Sequence, residues 1–294
     1  MDYSLIVADA GGSTTEWWVL SPSMSHPLFV TTEGINAATG KAEAIRDSIS
    51  IFRQKCLEKV TGKDFGSIFI YFYGAGCNSD YARNLLEMAF EETFADSMIR
   101  LKVHTDLQGA ALALFGDEPG IACILGTGSA SGIYDGRFIT ESIPSLGYIL
   151  GDEGSGAFMG RMLLRDWFKK SLPSKIEKEL EAFCGLRIQE VIEAVYRKPG
   201  ANKFLASFVP FLASHSDCGE ISEIIDNSLK LFFEFNVLKY NKPRGTQIGF
   251  VGGVASAFSD RIRAIGSGYG LATDRFIYRP IIALGEYFTN RFFV

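Results

Sequence analysis

Along the first third of the chain the apolar positions fall into short runs separated by glycine and polar clusters. Leu5-Ile6-Val7-Ala8, Trp17-Trp18-Val19-Leu20 and Leu28-Phe29-Val30-Thr31-Thr32 have the length and composition of strands. Between the first two, Asp9-Ala10-Gly11-Gly12-Ser13-Thr14-Thr15 forms a hairpin tip with one carboxylate, two glycines and three hydroxyls. Ala42, Ile45, Ile49, Phe52 and Cys56 then recur at helical spacing and predict a helix over 41–59. Ile68-Phe69-Ile70-Tyr71-Phe72-Tyr73 is a further strand, running into Gly74-Ala75-Gly76-Cys77, and a helix over 80–94 follows. Leu101-Lys102-Val103-His104-Thr105 ends at Asp106, and 107–115 is a short helix. The predicted order is β-β-β-α-β-α-β-α.

The pattern then restarts. Gly120-Ile121-Ala122-Cys123-Ile124-Leu125 is a strand, Gly126-Thr127-Gly128-Ser129 a turn, and Ser131-Gly132-Ile133-Tyr134 a second strand. Asp135-Gly136 is a hairpin signal ahead of Phe138-Ile139-Thr140-Glu141. The stretch Ser145-Leu146-Gly147-Tyr148-Ile149-Leu150-Gly151-Asp152-Glu153-Gly154-Ser155-Gly156 opens a helix to about Lys170, and helices are predicted over 175–183, 188–196, 204–213 and 221–239. Gln247-Ile248-Gly249-Phe250-Val251 is a strand closed by Gly252-Gly253 and a helix. Phe276-Ile277-Tyr278 and an amphipathic tail over 281–292 end the pattern. Two glycine-and-hydroxyl tips, each opening a β-β-β unit, constitute an internal repeat of topology.

Composition narrows the class. The 294 residues are 47% hydrophobic, enough for two domains, and the net charge of −5 with dispersed Lys and Arg gives no nucleic-acid footprint. No apolar run is long enough for a membrane helix. The start, Met1-Asp2-Tyr3-Ser4, runs into a strand without a leader pattern, so the expected location is the cytoplasm. Five scattered cysteines and three histidines predict free thiols rather than a disulfide frame or zinc site.

The candidate chemistry is phosphate handling. Backbone N–H groups and hydroxyls of Gly11, Gly12, Ser13, Thr14 and Thr15 suit phosphate oxygens, with Asp9 holding Mg²⁺ through water; an ordinary hairpin would look the same. Gly126, Thr127, Gly128 and Ser129 repeat the device. Gly252 and Gly253 would let a nucleotide lie against backbone, or serve close helix–strand packing. There is no Walker A and no G-x-G-x-x-G fingerprint. Asp106, where a strand meets a helix, is placed to deprotonate a hydroxyl attacking a γ-phosphate, or to cap the helix. Asn36 and Asp152 suit sugar hydroxyls, with a turn residue and a cap as their plain alternatives.

Taken together, these residues resemble the N-acetylglucosamine kinase-like branch of the actin/hexokinase/heat-shock-protein-70 ATPase superfamily, close to the benzoyl-CoA reductase activase ATPases. The resemblance covers nearly the whole length and is carried by Gly147-Tyr148-Ile149-Leu150-Gly151-Asp152-Glu153-Gly154-Ser155, with Gly126-Thr127-Gly128-Ser129 and Thr105-Asp106 in order and spacing. It implies an α/β protein of two ribonuclease-H-like (actin-like ATPase) domains with an interdomain cleft: 1–115, with the helix 281–294 packed back on it, and 116–280 with a helical insertion. It further implies ATP·Mg²⁺ and an amino sugar as ligands, Asp106 as the base activating the sugar 6-hydroxyl, and closure that excludes water. Asn36, Gly76, Ser129, Ser145 and Asp152 would be sugar-side contacts, and Gly252-Gly253 part of the adenosine motif. Two departures stand out. Relatives usually carry Lys or Arg where this chain has Thr14, and Gly74-Ala75-Gly76-Cys77 lacks a hydroxyl that some relatives have.

The expected activity is therefore phosphorylation of N-acetylglucosamine or a related amino sugar. Competing readings are an activator-type ATPase coupled to a partner enzyme, against which the unclustered cysteines weigh, and a non-catalytic sugar or nucleotide sensor, which would have no need of a base. The related repressor-and-sugar-kinase branch usually carries a cysteine-rich zinc motif that this chain lacks. The aromatic tail Tyr287-Phe288-Thr289-Asn290-Arg291-Phe292-Phe293 either packs back on the first domain or marks a homodimer surface.

Overall fold

The structure, a computed structural model, describes residues 3–38, 40–58, 67–241 and 245–292. Chain contacts divide it into two units: Met1–Glu118 with Gly136–Phe138 and Arg279–Val294, and Pro119–Asp135 with Ile139–Tyr278.

The first unit is built on β1 (Tyr3–Ala10), β2 (Thr14–Leu20) and β3 (Leu28–Glu33), an antiparallel meander. Helix α1 (Ala42–Leu57) leads to β4 (Ser67–Gly74), and α2 (Asp80–Thr93) to β5 (Met98–Thr105), both strands parallel to β1. Helix α3 (Asp106–Phe115) follows. The sheet order is β3-β2-β1-β4-β5. β1 is central and covered on both faces, which is why it reads as a continuous apolar run rather than an alternation. Ile6, Ala8 and Ala10 join the core under α1 and α2, where Trp17 stacks on Phe52 at 3.9 Å. Leu5 and Val7 face the opposite side with Trp18, Leu284 and Phe288. That side is covered by the C-terminal helix (Pro280–Phe292), whose Phe288 stacks on Tyr71 at 3.9 Å.

The second unit repeats the plan. Strands β6 (Gly120–Leu125), β7 (Ser129–Tyr134) and β8 (Ile139–Ile143) form the meander. The insertion after β8 comprises α4 (Gly147–Leu150), α5 (Gly156–Phe168), α6 (Ser174–Cys184), α7 (Ile188–Tyr196), α8 (Ala201–Ala206), α9 (Val209–Ser214) and α10 (Gly219–Phe235). Then come β9 (Ile248–Val251), α11 (Gly253–Ala257), α12 (Ser259–Gly268) and β10 (Arg275–Ile277). The sheet order β10-β9-β6-β7-β8, read from β8, is the order of the first sheet, with β9 parallel to β6 and β10 parallel to β9.

Several predicted elements differ in detail. The helix expected over 204–213 is two helices broken at Ser207-Phe208, because Pro210 has no N–H for the Ala206 carbonyl and its ring crowds that turn. The helix expected over 221–239 ends at Phe235 and gives way to a 3-10 turn at Val237–Lys239. The glycine-rich stretch does not open one helix. A single turn, α4, precedes an irregular segment, and α5 begins only at Gly156. Both hairpin tips are tighter than the sequence suggests, since β2 begins at Thr14 and β7 at Ser129. The expected helix end at Lys59, the start Met1-Asp2 and the tail residue Phe293 lie outside the described residues. Among the described residues no helix is long and apolar enough to cross a membrane, and none of the five cysteines is in a disulfide.

Candidate functional site

In the first unit the predicted residues gather at the carboxyl ends of the parallel strands. Ala10, Gly74 and Thr105 lie in one row across β1, β4 and β5, which puts Asp9 one step inside the row and Asp106 one step beyond it. The β1–β2 turn is closed by the Gly11 N–H donating to the Thr14 carbonyl at 3.0 Å. Two further contacts fix the next loop against it: Gly34 N–H to the Ser13 carbonyl at 3.0 Å, and Ile35 N–H to the Thr15 hydroxyl at 3.2 Å. Thr15 is therefore a buried structural hydroxyl, whereas Ser13 and Thr14 are exposed at the tip.

Asn36 and Gly76 are neighbours. Asn36 bridges Ala75, and its Oδ1 accepts the Ala38 N–H at 3.0 Å in a local turn. Gly76 has φ of 78°, and a Cβ there would lie 2.5 Å from Asn36 Oδ1, so the two loops fit together only with glycine at this position.

Asp106 is not the cap of α3. Thr105 is, its hydroxyl accepting the Gln108 N–H at 3.2 Å. Asp106 occupies the first helical position and its Oδ1 accepts the Leu107 N–H at 2.9 Å. Burial raises its pKa, partly opposed by that backbone donor. Asp9 is raised to about 7, first by burial and then by the charges of Asp106 and Glu16. Enclosed carboxylates that repel one another are a natural seat for a cation. Among the described residues, however, no group of three or more His, Cys, Asp or Glu side chains could hold a metal alone. Such an ion would arrive with ligands of its own, such as phosphate and water.

In the second unit the loop between β6 and β7 meets the segment before α5. Gly126 N–H donates to the Gly128 carbonyl at 3.0 Å, and the carbonyls of Gly126 and Thr127 accept the N–H groups of Gly156 and Ala157 at 2.8 and 3.1 Å. Asp152 is 8% exposed and has φ of 57°, a left-handed backbone that is uncommon for a residue with a side chain. Its Oδ1 accepts the Ser145 hydroxyl at 3.1 Å, the same hydroxyl lying 2.9 Å from the Ser129 carbonyl. Burial raises the Asp152 pKa against hydrogen bonds from Ser145 and the Ser129 N–H. Asp152 is likewise not a cap, because Ser155 receives the Phe158 N–H at 3.1 Å and caps α5. Ser129, Ser145 and Asp152 thus form one hydrogen-bonded group. Gly252, with φ of 111°, approaches β6 so closely that a Cβ would lie 2.4 Å from the Leu125 carbonyl oxygen.

At Gly12, Gly126 and Gly253 a Cβ would meet nothing within 4 Å. The backbone there faces open space, as a phosphate or nucleotide cradle requires. Four contributors had no signal in the sequence. Glu16 sits opposite Asp9 in the β1–β2 ladder, and Arg279 pairs with Glu16. In the second unit the Ser228 hydroxyl accepts the Gly154 N–H at 3.1 Å. Arg161 donates to the carbonyls of Tyr148 and Ile149 at 3.0 and 3.2 Å, placing a cation at the carboxyl end of α4.

A meander of three antiparallel strands continued by two parallel ones, occurring twice with a glycine-and-hydroxyl hairpin tip each time, defines the actin-like ATPase class. Solved structures carry the assignment further. Over 99% of its length the chain matches the whole of a candidate N-acetylglucosamine kinase from Porphyromonas gingivalis, with 33% identity and a TM-score of 0.86. A candidate N-acetylglucosamine kinase from Chromobacterium violaceum matches 97% of the chain over 98% of its own, at 18% identity and a TM-score of 0.72, which is a likeness of fold. MreB5 of Spiroplasma citri, solved with ADP, matches 99% of the chain over 96% of its own at 11% identity and a TM-score of 0.52, again in fold. The chain belongs to the N-acetylglucosamine kinase-like family of the actin/hexokinase/heat-shock-protein-70 superfamily. No family model and no curated protein matches it.

Proposed function

We propose that the protein is an ATP-dependent kinase that phosphorylates the 6-hydroxyl of N-acetylglucosamine or a closely related amino sugar. The observation that carries this reading is Asp106. It is an enclosed carboxylate at the end of β5 and the start of α3, relieved of capping duty by Thr105 and close enough to Asp9 for their charges to interact. In the proposed reaction Asp106 takes the proton of the sugar hydroxyl as that oxygen bonds to the γ-phosphorus and ADP departs. Asp9 would hold Mg²⁺ through water, and the ion would supply charge neutralisation on the phosphates. Gly11, Gly12, Ser13 and Thr14 would offer N–H and hydroxyl donors to phosphate oxygens, with Thr15 holding the loop from beneath. Gly126, Thr127 and Gly128 would do the same in the second unit, and Gly252-Gly253 would give the adenosine a surface free of side chains. Asn36, Gly76 and Asp152 would contact the sugar, Asp152 being oriented by Ser145 and Ser129.

ADP release by the purified protein with Mg²⁺·ATP tests the reading against N-acetylglucosamine, glucosamine, N-acetylmannosamine, glucose and no sugar. Sugar-dependent release is the expected result. Release that is equally fast without sugar would overturn it in favour of an ATPase.

The Ser145 hydroxyl supports a separate expectation. A hydrogen bond to a charged group contributes about 1.5–3 kcal/mol, and part of that is recovered when water replaces the hydroxyl. Ser145→Ala is therefore expected to raise the sugar KM roughly fivefold, about 1 kcal/mol, with kcat within twofold. An unchanged KM would show that Asp152 needs no orientation from Ser145.

A further inference from the structure

The β1–β2 hairpin carries an ion pair that ties β2 to the residue ahead of the C-terminal helix. Glu16 lies directly opposite Asp9 in the β1–β2 ladder. Opposed residues of an antiparallel pair project their side chains from the same face, and like charges so placed are unfavourable. Arg279, the residue before the C-terminal helix, answers that charge. Its Nε and Nη2 both donate to Glu16 Oε1, at 2.9 and 2.7 Å. Among the described residues Arg279 is the ion-pair partner of Glu16. It is itself placed by two neighbours: its guanidinium lies 5.7 Å from the Phe29 ring of β3, and its carbonyl accepts the Ile282 N–H of the first helical turn.

An unbalanced Glu16 would add a second negative charge beside Asp9, at the loop that must accept an anionic nucleotide. It would oppose a nucleotide–metal complex that still carries net negative charge. The hairpin tip supplies no cation of its own, since Ser13, Thr14 and Thr15 are neutral.

We propose that Arg279 is a positioning residue of the phosphate loop: it neutralises Glu16, and so keeps the loop receptive to a nucleotide–metal complex, without touching phosphate. The inference rests on the nucleotide reading given above. It departs from a direct phosphate contact in one respect that can be measured, which is that the effect of Arg279 passes through Glu16.

The test is a double-mutant cycle on the full-length protein, with Mg²⁺·ADP binding followed by calorimetry. Arg279→Ala is expected to weaken binding about tenfold, or about 1.4 kcal/mol, and Arg279→Lys to retain most of the affinity. Glu16→Gln is expected to bind at least as well as the unaltered chain. The Glu16→Gln/Arg279→Ala pair is expected to return to within about twofold of it, because the charge that Arg279 balances is gone. A loss that persists undiminished in the Glu16→Gln background would overturn the inference, since it is the signature of direct phosphate contact or of a disturbed C-terminal helix. No change on Arg279→Ala would overturn it as well. If the unaltered protein binds no Mg²⁺·ADP, the nucleotide reading fails and takes the inference with it.

Discussion

Replacing Asp106 by asparagine is expected to lower sugar phosphorylation by about 10²–10⁴-fold, the range that a positioned general base contributes, while Mg²⁺·ADP affinity stays within a few-fold. The structure makes this a clean substitution. Thr105, not Asp106, caps α3, so the helix start survives. The Asp106 Oδ1 accepts the Leu107 N–H at 2.9 Å, and the amide oxygen of asparagine can accept it in the same place. Shape and local bonding are preserved, and what disappears is the ability to take a proton. The measurement is kcat for the sugar identified by the ADP-release panel, with nucleotide binding followed separately. Retention of more than a tenth of the activity would remove Asp106 from the role of base. Loss of activity and nucleotide binding together would instead point to Asp106 as part of the cation seat around Asp9.

The fold was legible because its central strands are unusual. β1 and β6 are buried along nearly their whole length, so their uninterrupted apolar runs stand out, and each is followed by a glycine-rich turn and a second strand. The repeat of that arrangement indicated two like units, and the shared strand order bears it out. The misread elements have local causes. Apolar spacing over 204–213 is helical throughout, and only the missing N–H of Pro210 divides it. Thr105 and Asp106 are adjacent residues of types that both cap well, so sequence could not say which one does. What composition and spacing could not reach are contacts distant along the chain. Glu16 and Arg279 are 263 residues apart, and Gly154 and Ser228 are 74 apart. Each pair exists because an element returns to the sheet or loop it covers. Asp152 is a further case, since nothing in Gly151-Asp152-Glu153-Gly154 announces a left-handed aspartate beside the left-handed Gly154.

The docking of the C-terminal helix that brings Arg279 to Glu16 depends on Gly285. A Cβ built there would lie 2.1 to 2.5 Å from three ring atoms of Trp18, closer than atoms can approach. Two effects oppose each other in Gly285→Ala. The helix interior gains about 1 kcal/mol when alanine replaces glycine. Against that, the collision is with a ring that is itself 6% exposed and held edge-on by Phe29 at 5.0 Å, and a Cβ has no rotamer with which to retreat. Relief requires the helix to lift from β2, loosening Leu284 and Phe288 from the core they share with Leu5 and Val7. Overpacking of this kind costs about 1–3 kcal/mol and occasionally more. With an overlap of more than an ångström the upper end applies and outweighs the propensity gain. The expected result is a net destabilisation of about 2 kcal/mol, read as a thermal midpoint lower by roughly 4–8 °C. Mg²⁺·ADP affinity should fall in the same direction as in Arg279→Ala, because a lifted helix carries Arg279 away from Glu16. A midpoint at or above that of the unaltered protein would show that the helix does not seat on Trp18 through Gly285.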